Sequence, residues 1–364
     1  MVKYINSINI ETFKGIEKLS LSRLGDINIL VGDNNTCKTS VLEAVQLFQY
    51  PNDLREIIRI ARKREASKRM ISGISVMDSF LNVFSASQKD EKRILIQCEL
   101  DNVMHSLDIK GIVDEIYITR EELLQLKSDQ QLDEDTPINE FRGTLNFDNH
   151  LQEILLNEVD DSSRYGKVNR DEAIIKLLKM KYVSSSDHLN QTFSVRTLSE
   201  TIKNNEKSQL LELLRKFDNK IEGIEMLPSK NMRWTSTYIK HSEYGFIPLS
   251  SFGDGVKKVL ALASALLSIE NGLLLIDELE TAIHTSGLDS VFQWLIETCK
   301  TLNIQVIATT HSDEALVSLL SRYKDTGMEM CIYRLERFEN EIIARRFSGE
   351  KAYDIVISNG GDLR

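Results

Sequence analysis

The stretch Gly32-Asp33-Asn34-Asn35-Thr36-Cys37-Lys38-Thr39 carries the residues best suited to chemistry in this 364-residue chain. It follows the apolar run Ile27–Val31, and beyond it Val41, Leu42, Val45 and Phe48 recur at helical spacing, so it is a loop between a buried strand and a helix. It satisfies G-x4-G-K-[ST] at every fixed position but one, where Cys37 replaces the second glycine. In that setting the backbone N–H groups from Gly32 through Asn34, Asn35, Thr36 and Cys37 to Ser40 form an anion-binding nest, and the helix start adds its positive dipole end. Lys38 would reach the outer phosphates of a nucleoside triphosphate and Thr39 would ligate Mg²⁺. The competing reading is an Asn-rich turn with a solvated lysine. A thiol at position 37 is expected to make the site sensitive to thiol reagents when nucleotide is absent.

A second set of residues supplies the rest of such a site. The apolar strand Leu273–Ile276 ends in Asp277 and Glu278. Asp277 would join the Mg²⁺ shell, and Glu278 would orient and polarise the attacking water. The strand 304–309 ends near His311, where a sensor of the γ-phosphate would stand, and His284 lies six residues past Glu278, in a loop facing a partner subunit. Upstream, Ser251, Gly253 and Gly255 open the helical run VKKVLALASALL. A Ser/Gly turn at a helix start is a second anion-binding element, and in this order it makes sense as a signature loop capping ATP held by another copy. Taken singly, each feature also has a bland reading: an acidic surface turn, a loop histidine, an ordinary Ser cap.

The elements that must position these residues follow from periodicity. Residues 51–85 read as helical, and short β-rich pieces run from Arg93 to about Asp148, interrupted by the polar loop SDQQLDEDTP. Residues 151–180 and 189–223 read as mostly helical, followed by a hairpin-like stretch. The last third alternates helix and strand, the mark of an α/β layered sheet. The expected organisation is an N-terminal lobe over 1–150 with the phosphate loop and a β-rich subdomain, a mostly helical insertion over 151–245, and a C-terminal lobe over 246–364 with the signature loop, the acid-tipped strand and the switch histidine.

With 41% hydrophobic and 27% charged residues the composition is globular, and the net charge of −10 argues against non-specific coating of DNA. Four widely spaced cysteines without a C-x-x-C pair predict neither a disulfide framework nor a zinc ribbon, and point to a reducing compartment. No membrane span or signal peptide is expected, so the predicted location is cytoplasmic.

The ordered segments SINIETFKGIEKLSL, INILVGDNNTCKTSVLEAV, PLSSFGDGVKKVLALASALL, LLLIDELETAIHT and VIATTHSDE resemble the RecF/SMC-like ABC ATPases. Within that group they are similar to the OLD-type AAA-family ATPases often found in anti-phage defence modules. The resemblance covers both ends of the chain and leaves roughly the middle 150 residues carried by position alone. It implies an α/β P-loop NTPase fold of the ABC-ATPase head type, with a mixed β-sheet lobe I, a helical/β insertion and an α/β lobe II. It also implies ATP and Mg²⁺ sandwiched between two heads of a homodimer or higher oligomer, with Lys38, Thr39, Asp277, Glu278, Ser251, His284 and His311 in the roles above. Departures are Cys37 and the lack of an evident Q-loop, for which Gln97 is the nearest candidate. About fifty residues follow His311, too few for the Toprim nuclease domain of OLD proteins, and the D-x-D at Asp133-Glu134-Asp135 sits in the polar loop. The output is therefore expected in a separate effector, nuclease- or Toprim-like, with nucleic-acid contact left open. Arg55, Arg59 and Arg62 share a helical face in a basic stretch over 55–69, read either as a phosphate- or partner-docking stripe or as a solvated face. Trp234 and Trp294 read as core. The alternatives to an ATPase switch are a nucleotide-binding scaffold or sensor with little turnover, and a RecF-like DNA-repair ATPase.

Overall fold

The computed structural model describes residues 4–63, 75–117, 137–158, 173–189, 198–199, 203, 207–228, 235–324, 326–339 and 341–363. The hairpin β1 (Ile5–Phe13) and β2 (Ile16–Ser22) leads to β3 (Ile27–Val31), the phosphate-type loop and α1 (Lys38–Gln46). Helices α2 (Leu54–Arg62) and α3 (Val76–Leu81) follow, then β4 (Lys92–Leu100), β5 (Val103–Tyr117), β6 (Pro137–Phe147), β7 (His150–Asn157) and β8 (Met180–Val183). Helix α4 (Lys207–Phe217) precedes β9 (Ile221–Pro228), β10 (Thr235–His241) and β11 (Gly245–Pro248). The last third runs α5 (Asp254–Leu267), β12 (Leu273–Ile276), α6 (Thr285–Thr301), β13 (Gln305–Thr309), α7 (Asp313–Tyr323), β14 (Met330–Phe338), β15 (Glu341–Ser348) and α8 (Gly349–Tyr353).

These strands make a six-stranded antiparallel sheet ordered β2-β1-β4-β5-β6-β7, a three-stranded sheet β11-β10-β9, and a second six-stranded sheet β15-β14-β3-β13-β12-β8. The last is parallel apart from β15. Every residue of β3, β12 and β13 is buried, as a strand covered on both faces requires. The two-residue period of a strand then feeds two cores at once. Leu30, Leu273, Leu275 and Ile307 point to the core shared with α1 and the antiparallel sheet. Ile29, Val31, Leu274, Ile276, Val306 and Ala308 point to the core shared with α5, α6 and α7. The site-bearing loops thus emerge from a sheet clamped between two hydrophobic layers.

Two buried amides tie β1 and the turn before β3 to the parallel sheet. Gln305 accepts from Ile5 N and donates to Ile5 O and Gly25 O, all at 2.9 Å. Asn28 accepts from Gly25 N at 2.7 Å and donates to Gly25 O and Val306 O. With their polar groups satisfied, these residues anchor β1 and the Gly25 turn on β13 instead of weakening the core.

The expected helix–strand alternation of the last third is present, as is the antiparallel stretch after 221. The helical reading of residues 151–180 is corrected: 151–157 belong to strand β7, and 173–179 carry no helix. Ile154 and Leu156 fit either period, but the turn before them decides it. Asp148 and Asn149 take φ values of 47° and 72°, and a two-residue turn of that type pairs β7 with β6. Within 51–85 helix is confined to α2 and α3 among the described residues. The polar loop, its D-x-D and Trp234 lie outside the described residues; Trp294 packs half-buried against the second core.

Candidate nucleotide site

The loop after β3 is shaped by backbone that few side chains tolerate. Gly32 has φ +138°, and a Cβ there would stand 2.3 Å from Leu335 O. Asn35 and Cys37 are left-handed at φ 69° and 60°, so successive N–H groups turn inward before α1 begins at Lys38. Thr36 closes the turn by donating to Asp33 O at 2.8 Å. Lys38 is buried, and its ammonium donates to Gly32 O at 2.6 Å and Asp33 O at 2.7 Å. Burial pulls its pKa down, an effect opposed by Asp33, Asp277, Glu278 and Glu280. Asn34 and Asn35 are exposed at the loop tip, and Ser40 is buried in the first turn of α1.

The acid-tipped strand lies two places from β3, with β13 between them. This brings Thr39 to Asp277: its hydroxyl donates to Asp277 Oδ1 at 3.0 Å. Thr309, at the tip of β13, donates to the same oxygen at 2.8 Å and accepts from Glu278 N at 2.8 Å. Thr309 was not singled out from the sequence; its signal was a hydroxyl ending an otherwise apolar, fully buried strand. Thr309→Val keeps the shape and removes both bonds. It is expected to cost about 1–3 kcal/mol of stability and to lower turnover more than nucleotide affinity, with Thr309→Ser restoring both. Denaturation and steady-state kinetics on the three forms measure this.

Glu278 itself is left-handed at φ 48°, and its Oε2 accepts from Thr281 Oγ1 at 2.8 Å. Glu280 reaches across to the next strand end, accepting from Thr310 Oγ1 at 2.8 Å and His311 N at 2.9 Å. His311 therefore stands just past the end of β13, its backbone held by Glu280. His284 caps α6, its Nδ1 accepting from Ser286 N at 3.3 Å, and is exposed. Ser251 and Gly253 are exposed ahead of α5. Among the described residues no hydrogen bond joins Ser251 or His284 to the phosphate loop of the same chain. The structure brings together Gly32, Thr36, Lys38, Thr39, Asp277, Glu278 and His311, and holds the signature-type loop and His284 apart on the surface.

Gln97 is corrected as a site residue: it lies in β4, paired between Asn9 and Ser106 in the antiparallel sheet. The strand beside the acid-tipped one is β8, and its exit loop Ser184-Ser185-Ser186-Asp187-His188 borders the site, with Asp277 N donating to Val183 O at 2.8 Å. Within the basic stretch, Arg55 pairs with Asp53, Arg59 with Glu56, and the Lys63 ammonium sits 3.3 Å from the centre of the Tyr182 ring. Burial brings the Lys63 pKa down to about 8. Residues 64–69 of the stretch lie outside the described residues.

Among the described residues no cluster of three or more His, Cys, Asp or Glu could hold a metal by protein groups alone. One hydroxyl (Thr39) and one carboxylate (Asp277), already 3.0 Å apart, suit Mg²⁺, which keeps waters and takes phosphate oxygens as its other ligands. The curled Lys38 and the inward N–H groups suit a polyphosphate.

A family of AAA domains, described as "AAA domain, putative AbiEii toxin, Type IV TA system", matches residues 27–318. The chain belongs to this AAA-domain family. The AAA domain is similar to a protein named ATP/GTP phosphatase from Helicobacter pylori, 26% identical over 381 residues, which cover 95% of this chain and 96% of that one. An uncharacterized protein of Methanocaldococcus jannaschii is 34% identical over 112 residues, 31% of this chain and 98% of that one. Solved SMC heads also align with the AAA domain. A head bound to the C-winged helix domain of ScpA does so at 14% identity and TM-score 0.49, covering 96% of this chain and all of that one. The head from Thermotoga maritima follows at 11% and 0.48, covering 95% and 99%. The family match over residues 27–318 agrees with the mixed α/β P-loop ATPase fold expected from the motifs. No helix among the described residues is long and apolar enough to cross a membrane.

Proposed function

We propose that this AAA domain binds and hydrolyses ATP, and that ATP closes two heads whose opening after hydrolysis governs a separately encoded effector, in the manner of anti-phage defence modules. The observation that carries the reading is the network Thr39–Asp277–Thr309–Glu278 N, with bonds of 2.8–3.0 Å, which joins the phosphate loop to both acids through a third strand. Lys38 and the left-handed loop bind the phosphates; Thr39 and Asp277 would hold Mg²⁺, which supplies charge neutralisation to the phosphate oxygens. Glu278 accepts the proton of the attacking water, and His311 stands by the γ-phosphate side. The loop exposed at Ser251, Gly253 and Asp254, unattached to its own phosphate loop, is available to cap nucleotide held by a second copy, as is His284, exposed at the start of α6. The name of the Helicobacter relative supports phosphate release and widens the choice of nucleotide to GTP.

Multiple-turnover phosphate release from ATP and GTP, with and without Mg²⁺, tests the chemistry, and sedimentation with and without ATP tests head closure. Release at the buffer rate in all conditions would remove the hydrolase reading and favour a nucleotide-binding scaffold, which Cys37 in the phosphate loop recommends. Copurification of the native complex identifies the effector.

A further inference from the structure

Lys258 lies one turn into α5, just past the signature-type loop, and has no exposed surface (0%). Its ammonium donates to Glu278 O at 3.4 Å and to Ser184 O at 3.5 Å. Among the described residues it forms no ion pair within 4 Å; Asp187, Asp277, Glu278 and Glu280 act on it from further away. Burial lowers its pKa, and those acids partly offset the effect. Two long hydrogen bonds are a small return for burying a charge, so the lysine weakens the fold where a methionine would not. A residue that breaks a packing rule in this way is expected at a functional position.

A second contact ties the same helix to the same turn. A Cβ at Gly255 would stand 3.1 Å from Ala282 O, so the start of α5 lies against the loop after Glu278. Glu278 and Ala282 are both left-handed, at φ 48° and 68°, a conformation that persists when neighbours impose it. Helix α5 thus grips both ends of this turn while its leading residues, Ser251 and Gly253, are exposed.

We propose that Lys258 is a positioning residue: it links the signature helix to the Glu278 peptide, so that seating of the signature loop on nucleotide held by a second copy sets the place of the Glu278 carboxylate. The inference rests on the hydrolase reading above and names the path by which one head governs hydrolysis in the other. Its test uses Lys258→Met and Lys258→Arg in the full chain, alone and combined with Glu278→Gln. Lys258→Met is expected to lower kcat about tenfold or more, with KM and ADP affinity within about threefold and Tm unchanged or raised. Lys258→Arg should recover part of kcat. In the Glu278→Gln background, Lys258→Met should cost less than about twofold in single-turnover rate, because two residues on one path are not additive. Unchanged kcat in Lys258→Met overturns the proposal. So does a loss of kcat matched by losses of Tm and ADP affinity, or a full penalty in the double variant. If the unaltered chain releases no phosphate, the hydrolase reading fails instead.

Discussion

Glu278→Gln is expected to slow multiple-turnover ATP hydrolysis about 10²–10⁴-fold while ATP affinity is retained. The substitution preserves shape and keeps an oxygen to accept from Thr281 Oγ1, which now bonds Glu278 Oε2 at 2.8 Å. The peptide stays anchored too, since Glu278 N donates to Thr309 Oγ1 at 2.8 Å whatever the side chain. What disappears is the carboxylate that takes the proton from water. A head that binds but cannot hydrolyse should also accumulate in the closed, paired form, so the ATP-dependent sedimentation shift should become persistent. Phosphate release, equilibrium binding and sedimentation on one preparation measure all three. Wild-type turnover in this variant would remove Glu278 from the chemistry.

Lys38→Ala is expected to abolish productive nucleotide binding, with ATP affinity falling about 100-fold or more. The ammonium spans the loop at 2.6 and 2.7 Å to the carbonyls of Gly32 and Asp33, so it is both the phosphate ligand and the tie that keeps the loop curled. Charge-assisted bonds of this kind contribute roughly 1.5–3 kcal/mol each. The cleanest readout is the rise in Tm on adding ATP, which measures binding by mass action and needs no turnover. That rise should vanish in Lys38→Ala. An equal rise in both proteins would place the nucleotide elsewhere.

The candidate site was legible in the sequence because each residue proposed to act there ends a strongly apolar strand or opens a helix. Gly32, Lys38, Asp277 and His311 sit at such junctions, and the sheet order needs only to bring β3, β13 and β12 side by side. Residues whose importance lies in a partner were not legible. Thr309 matters through Asp277 and Glu278 N, Glu280 through Thr310 and His311 N, and Lys258 through a carbonyl that no pattern marks. The pairing of strand β8 with β12 was not legible, because parallel pairing joins segments about ninety residues apart with no local code. The strand over 151–157 does have a local mark, the Asp148-Asn149 turn with both residues left-handed.

Cys37 adopts the left-handed conformation that glycine normally supplies, at a cost of about 1–2 kcal/mol, and its Sγ lies 3.4 Å from Arg337 Nη2 and 3.5 Å from Gly15 O. The other three cysteines are buried, and burial also drives the Cys98 and Cys299 thiols upward in pKa. Native protein should therefore take up one alkylating label per chain, at the mouth of the nucleotide site, and bound ATP should shield it. The label then becomes a counter of empty sites: mass spectrometry of intact chains would report the fraction occupied without any enzymatic step. In a paired assembly that loads one nucleotide before the other, the count would pause at half.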